Sequence, residues 1–215
     1  MAKAMTARRK PREEAKKVRS DLYRRHILEA AEGVLAERGF EAAKLQEISG
    51  ACGLSMGTIY SIFASKDDLC RALLDERGAE LLRLARDAAA RTVPAREALD
   101  GLIEAYVDYF VAHPTFLRMH LRLGGSWVLG PGAANGGRLQ LWEEIHEHQT
   151  EIFRRGIAEG VFLDEEPGFL AKLLSAMDQV LLADWAANGM KATRDDLVRR
   201  MKSMAARSFL RRTGA

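Results

Sequence analysis

The sequence predicts an all-α protein. Two observations predict this. Only five prolines occur in 215 residues, and none falls between Pro11 and Pro94, so a long stretch keeps every backbone donor that a helix needs. Apolar residues recur at helical spacing, and no segment shows the period-two alternation of a strand.

The elements follow in order. The first helix is expected from Ser20 to Arg38, with Tyr23, Ile27, Ala30, Ala31 and Val34 along one face. Gly39 closes it, since a helix end favours a residue that tolerates positive φ. Leu45, Ile48 and Cys52 mark a short second helix that Gly53 breaks, and Ser55 caps a third expected through Phe63. Ser65-Lys66-Asp67-Asp68 reads as a capping box opening a long fourth helix to about Arg91. Pro94 and Pro114 suit the first turns of two more helices. Gly124 to Gly137 holds six glycines and a proline and is expected as a loop. Helices are expected again over Arg138–Glu159 and Pro167–Ala187, and Thr193-Arg194-Asp195-Asp196 opens the last one.

Composition sets bounds on what the chain does. Hydrophobic residues make up 47% and charged residues 29%, as in a soluble globular protein. No apolar run approaches the roughly 20 residues of a membrane helix, and the first 20 residues lack the apolar stretch of a secretory signal. A cytoplasmic protein without a membrane partner is expected. Cys52 and Cys70 make neither a disulfide framework nor a metal motif. Charge is uneven: residues 1–66 hold 13 Lys/Arg against 8 Asp/Glu, and residues 67–215 hold 20 against 22. Most of the basic excess lies in residues 1–19, expected as a flexible basic arm. Such an arm suits a phosphate backbone, and it equally suits a solubilising tail.

Leu45 to Phe63 has the shape of a helix-turn-helix. Leu45, Ile48, Leu54, Ile59 and Phe63 face inward, while Met56, Gly57, Thr58, Tyr60 and Ser61 lie on or near the other side. A recognition helix in a major groove needs small, polar and aromatic residues near its start. Gly57 lets the backbone approach a phosphate closely, and the Ser55, Thr58 and Tyr60 hydroxyls can donate to phosphate oxygens. An ordinary helix hairpin gives much the same pattern.

A longer string narrows the choice. Tyr23-Arg24-Arg25-His26-Ile27-Leu28-Glu29-Ala30-Ala31, then Gly39-Phe40, Ile48, Cys52-Gly53-Leu54-Ser55-Met56-Gly57-Thr58-Ile59-Tyr60 and Phe63-Ala64-Ser65-Lys66-Asp67-Asp68-Leu69 closely resembles the N-terminal domain of the TetR family. The resemblance covers about residues 20–69. It implies a three-helix DNA-binding head over 20–66, a ligand-binding and dimerising helical body over 67–215, a homodimer, and a palindromic double-stranded DNA operator. It places Ser55, Gly57, Thr58 and Tyr60 at the groove and pairs Lys66 with a phosphate. Two departures stand out. Ala43 and Lys44 replace the hydroxyl residues usual before the second helix, leaving Lys44 to supply a charge instead, and Met56 stands where a lysine or small polar residue is usual.

The body carries no comparable signature. The resemblance implies a pocket for a small apolar effector, with Tyr106, Phe110, His113, Phe116, Trp127, Trp142 and Met177 as candidate lining residues; simple core packing is the alternative for each. Trp127 falls within the glycine-rich loop, where helix packing does not call for it. Leu173, Met177, Val180, Leu181 and Asp184 recur in one helix and Leu197, Met201, Met204 and Phe209 in the next, as a two-fold interface requires. The rival account is packing inside one protomer. Glu143 to His148 contains a single Glu-x-x-His, short of the two that a di-iron bundle uses, and reads as a charged helix face. No catalytic residue, metal site or cofactor is expected.

Overall fold

The computed structural model describes residues 2–124, 126 and 139–211, and nine helices lie among them. They are α1 (Ala2–Ala42), α2 (Leu45–Cys52), α3 (Met56–Tyr60), α4 (Lys66–Ala89), α5 (Ala95–Ala112), α6 (Pro114–Arg122), α7 (Leu139–Ala158), α8 (Pro167–Ala187) and α9 (Arg194–Phe209). The chain divides into two compact units, one ending at Leu73 and the other beginning at Leu74.

Most expected boundaries hold within a residue or two. Gly39 interrupts α1 with φ 76° and ψ 172°, a backbone that only glycine adopts cheaply. The Ser65 half of the expected capping box forms, Ser65 Oγ accepting from Asp68 N–H at 3.1 Å, while Asp68 Oδ2 accepts from the N–H of Ala64, one residue before the cap, at 3.0 Å. Thr193 and Asp196 make the reciprocal pair that starts α9. Two boundaries differ. Helical backbone begins at Ala2 rather than Ser20; the Glu, Ala and Lys residues at 13–17 are strong helix formers. The third helix stops at Tyr60, because Ile62 N–H turns onto Ile59 O at 3.0 Å while Ser61 Oγ donates to Thr58 O at 2.7 Å.

In the first unit, Ile27, Ala31, Leu35, Ile48, Ile59, Phe63 and Leu69 are buried and make the core. Cys70 is also buried, and burial pushes its thiol up to about 11, whereas Cys52 is half-buried with Sγ 3.6 Å from Ser49 O. In the second unit, Phe153 packs against Phe162 and Phe209 with ring centroids 5.3 and 5.0 Å apart. Gly156 makes room for the Phe162 ring, which a Cβ there would meet at 2.1 Å. An isolated antiparallel bridge joins Phe162 to Leu210.

This packing corrects part of the expected dimer face. Leu181, Leu197, Met201 and Phe209 are buried inside the protomer. Their helical spacing reflects the core of the body. Val180 is 66% exposed and Asp184 is exposed, while Leu173, Met177 and Met204 are half-buried. No helix among the described residues is long and apolar enough to cross a membrane.

Candidate DNA-reading face and effector cavity

The helix-turn-helix is built from local hydrogen bonds. Gly53 caps α2 in the left-handed region at φ 67° and ψ 19°. Ser49 Oγ reaches across the turn and donates to Leu54 O at 2.6 Å; this tie was not anticipated from the sequence. Lys44 precedes α2 with an extended backbone, and its N–H donates to Glu47 Oε2 at 3.0 Å. The missing hydroxyl cap is thus offset by a carboxylate bonded back onto the chain.

Ser55 starts α3, its Oγ accepting from Thr58 N–H at 3.1 Å. Ser55 Oγ and Thr58 Oγ1 lie 3.0 Å apart. One hydroxyl donates to the other, which leaves one O–H for an outside acceptor. Ile59 points into the core while Tyr60, 55% exposed, points away. A Cβ at Gly57 would meet nothing closer than Ser55 Oγ at 3.8 Å, so the fold of the head does not need glycine there. Lys44 is exposed and Met56 half-buried. The Ser61 hydroxyl is turned onto its own backbone and has no proton left to donate outward.

Lys66 is placed differently from its expected role at a phosphate. Its ammonium donates to Phe40 O at 2.6 Å, Ala43 O at 3.1 Å and Glu41 O at 3.5 Å, and sits 4.3 Å from the Phe40 ring centroid. All three N–H donors are engaged by the C-terminal carbonyls of α1 and the connection to α2. A cation is favoured at that end of a helix by its dipole. Lys66→Met is therefore expected to lower the stability of the head by about 1.5–3 kcal/mol, the range for hydrogen bonds to a charged group. Thermal unfolding checks this. A salt titration of DNA affinity checks the rest: an unchanged slope is expected, and a slope smaller by about one unit would restore the phosphate contact.

Within the second unit a small, partly open cavity of about 30 Å³ is lined by Leu81 of α4, Tyr106 and Phe110 of α5, Trp142, Ile145 and Gln149 of α7, and Ser175 and Asp178 of α8. Tyr106, Phe110 and Trp142 are thus brought together as expected. Three other candidates are not in the wall. Phe116 is core, stacked on Phe110 at 6.1 Å. The His113 ring tilts over Tyr109 at 4.4 Å, its Nδ1 2.7 Å from Tyr109 O. Met177, half-buried on α8, is not among the lining residues. Trp127 lies outside the described residues.

The polar wall was not foreseen. Gln149 links Ser175 Oγ, which donates to Gln149 Oε1 at 3.2 Å, to the Tyr106 hydroxyl, which lies 3.5 Å from Gln149 Nε2. Burial pushes the Asp178 carboxyl up to about 8. Burial, helped by Asp178, also raises the Tyr106 phenol, and burial holds His120, 6.0 Å from the Trp142 ring, down to about 4. A signal for Asp178 was present: it stands in register with Leu174, Leu181, Leu182 and Trp185 on the inward side of α8. No group of three His, Cys, Asp or Glu among the described residues is placed to hold a metal ion.

Residues 27–73 match the family model described as bacterial regulatory proteins, tetR family. The HTH-type transcriptional activator FasR of Mycolicibacterium smegmatis is 34% identical over 93 residues, or 43% of this chain. That match spans 42% of the relative's own length. Bacillus subtilis FadR in complex with stearoyl-CoA shares the fold at a TM-score of 0.70 and 18% identity, covering 84% of this chain and 94% of that one. A Saccharomonospora viridis regulator in complex with choline does so at 0.70 and 22%, covering 88% and 98%.

Proposed function

We propose that this chain, whose residues 27–73 match the tetR family model of bacterial regulatory proteins, is a ligand-responsive transcription regulator that binds a near-palindromic operator as a homodimer. The carrying observation is the outer side of α3. Ser55, Gly57, Thr58 and Tyr60 lie together there, and the fold itself has little use for a glycine at 57 or a 55% exposed tyrosine at 60. Small and hydrogen-bonding groups on a short helix suit a major groove and its phosphates. Release from DNA on effector binding makes such a protein a repressor wherever its site overlaps a promoter.

A palindrome needs a two-fold protein. On α8, Phe169 and Val180 are 55% and 66% exposed and eleven residues apart, hence on one side of the helix. Leu173 and Ala176 lie between them on the same side. This apolar stripe replaces the buried residues as the core of the proposed dimer face. Val180→Asp is expected to turn a dimer into a monomer and to lower operator affinity at least tenfold. Sedimentation at micromolar concentration checks it, and a wild-type mass of one chain counts against the assembly.

The cavity is proposed as the effector site. The two ligand-bound neighbours hold chemically unrelated molecules, so the wall of the cavity sets the ligand class. Leu81 belongs to α4, an unbroken helix that starts at Lys66. A ligand pressing on Leu81 would tilt α4 and alter the spacing of the two heads. Coupling of about 1–3 kcal/mol is typical and weakens DNA binding roughly 5- to 150-fold. Selection from a random duplex pool tests the whole reading: recovery of an inverted repeat is expected, and no preference over random DNA would overturn it.

A further inference from the structure

We propose that the effector carries one positive charge, seated against Asp178 and enclosed by the rings of Tyr106, Phe110 and Trp142. The assignment rests on the cavity being the effector site. Asp178 is 5% exposed and accepts no hydrogen bond from any described residue, yet it lines open space. Of its polar neighbours, Ser175 donates to Gln149 Oε1, and Gln149 Nε2 donates to the Tyr106 oxygen. A carboxyl buried without a partner is costly, and the cost falls when an opposite charge arrives. The remaining wall is suited to supply company for such a charge, since indole, phenol and phenyl faces attract cations. Among the described residues the wall holds no lysine or arginine. An anionic effector would meet no counter-charge, and a neutral apolar one would leave the carboxyl as it found it.

Protonation follows from the same geometry. α4 contributes Leu81 to the wall, α5 Tyr106 and Phe110, and α7 Trp142, Ile145 and Gln149. Among the described lining residues Tyr106 is the only other titratable group, and its raised phenol stays neutral; His120 of α6 lies 6.0 Å from the Trp142 ring, and burial keeps it neutral as well. α6 and α9 also pack on α8, but burial alone accounts for the lift of Asp178 to about 8. At neutral pH the empty cavity therefore holds the protonated acid. An entering cation takes the place of that proton: the O–H bond breaks, the carboxylate pairs with the cation, and one proton leaves to solvent.

The test uses the full chain and three probes of one shape class: benzyltrimethylammonium, its neutral isostere 2,2-dimethylpropylbenzene, and 3-phenylpropanoate. Calorimetry at pH 6, 7 and 8 is expected to show the cation bound at least tenfold more tightly than either companion at pH 8. Its affinity should rise by up to tenfold per pH unit below about 8, with proton release. Asp178→Asn should abolish both the preference and the pH slope while the neutral probe still binds. Equal or tighter binding of the neutral or anionic probe at pH 8, binding of none of the three, or a pH slope surviving in Asp178→Asn overturns the proposal. Release of the selected operator duplex is measured alongside. If the neutral probe wins and releases DNA, the charge assignment fails and the effector site stands. If the cation binds through Asp178 without changing DNA affinity, the site is not the effector site and the charge assignment stands.

Discussion

Replacing Gly57 by alanine is expected to leave the head at least as stable as before and to lower operator affinity tenfold or more. A glycine inside a helix costs about 0.5–1 kcal/mol relative to alanine. The new methyl would meet only Ser55 Oγ, at 3.8 Å. Nothing within the protein therefore opposes the change. The loss arises on the DNA side, where the backbone of α3 can approach the duplex only without a side chain at that position. Tyr60→Ala is expected to weaken binding as well, since a side chain 55% exposed contributes little to folding. Thermal melts paired with fluorescence anisotropy on the selected duplex check both. An alanine variant that melts normally and binds normally would move the reading face away from α3.

Asp178→Asn is expected to stabilise the ligand-free protein by about 2–4 kcal/mol at pH 8 and to change it little near pH 4. The folded carboxyl titrates at about 8 and the unfolded one at about 3.9. Between those values the folded chain holds a proton that the unfolded chain has released, so stability falls as pH rises. His120 works in the opposite direction. Its folded value is depressed to about 4 against about 6.5 unfolded, so its contribution is lost as pH falls through that window. The two slopes oppose each other between about pH 4 and 6.5, and Asp178 alone acts from there to about 8. In the variant only the His120 slope remains. Urea unfolding at pH 5, 6.5 and 8 separates the two groups, and a variant less stable than the parent at pH 8 would contradict the account. A carboxyl kept at that cost in the empty protein is one that binding makes use of.

The head could be read from the sequence because its determinants are local. Gly39, Gly53, Ser55 and the Ser65–Asp68 box each act within four residues of themselves, and each does what its residue type predicts. The surroundings of Lys66 are not legible in the sequence because its partners are carbonyls 23 to 26 residues earlier in the chain, and a lysine in a sequence does not show which oxygens it will meet. The end of the third helix is not legible in the sequence because a side-chain bond from Ser61 to Thr58 O competes with another helical turn. The cavity was only half legible. Its aromatic residues stand out by type, but its wall draws on four helices, and Leu81 and Ile145 look like any core residue. Asp178 was readable in principle as an acid in an apolar register. Phe116 and Met177 show the converse: being large and apolar does not place a side chain at a cavity.

The two cysteines give the protein a use as its own ruler. Cys70 is buried and its thiol titrates near 11, so little of it is thiolate at neutral pH and alkylating dyes pass it by. Cys52 is half-buried at the end of α2, beside the turn that leads into α3. A maleimide fluorophore added to the unaltered chain would therefore settle on one position per protomer, next to the reading face. Energy transfer between two such dyes in the proposed dimer would register the separation of the heads directly, with operator, without it, and as an effector is titrated in.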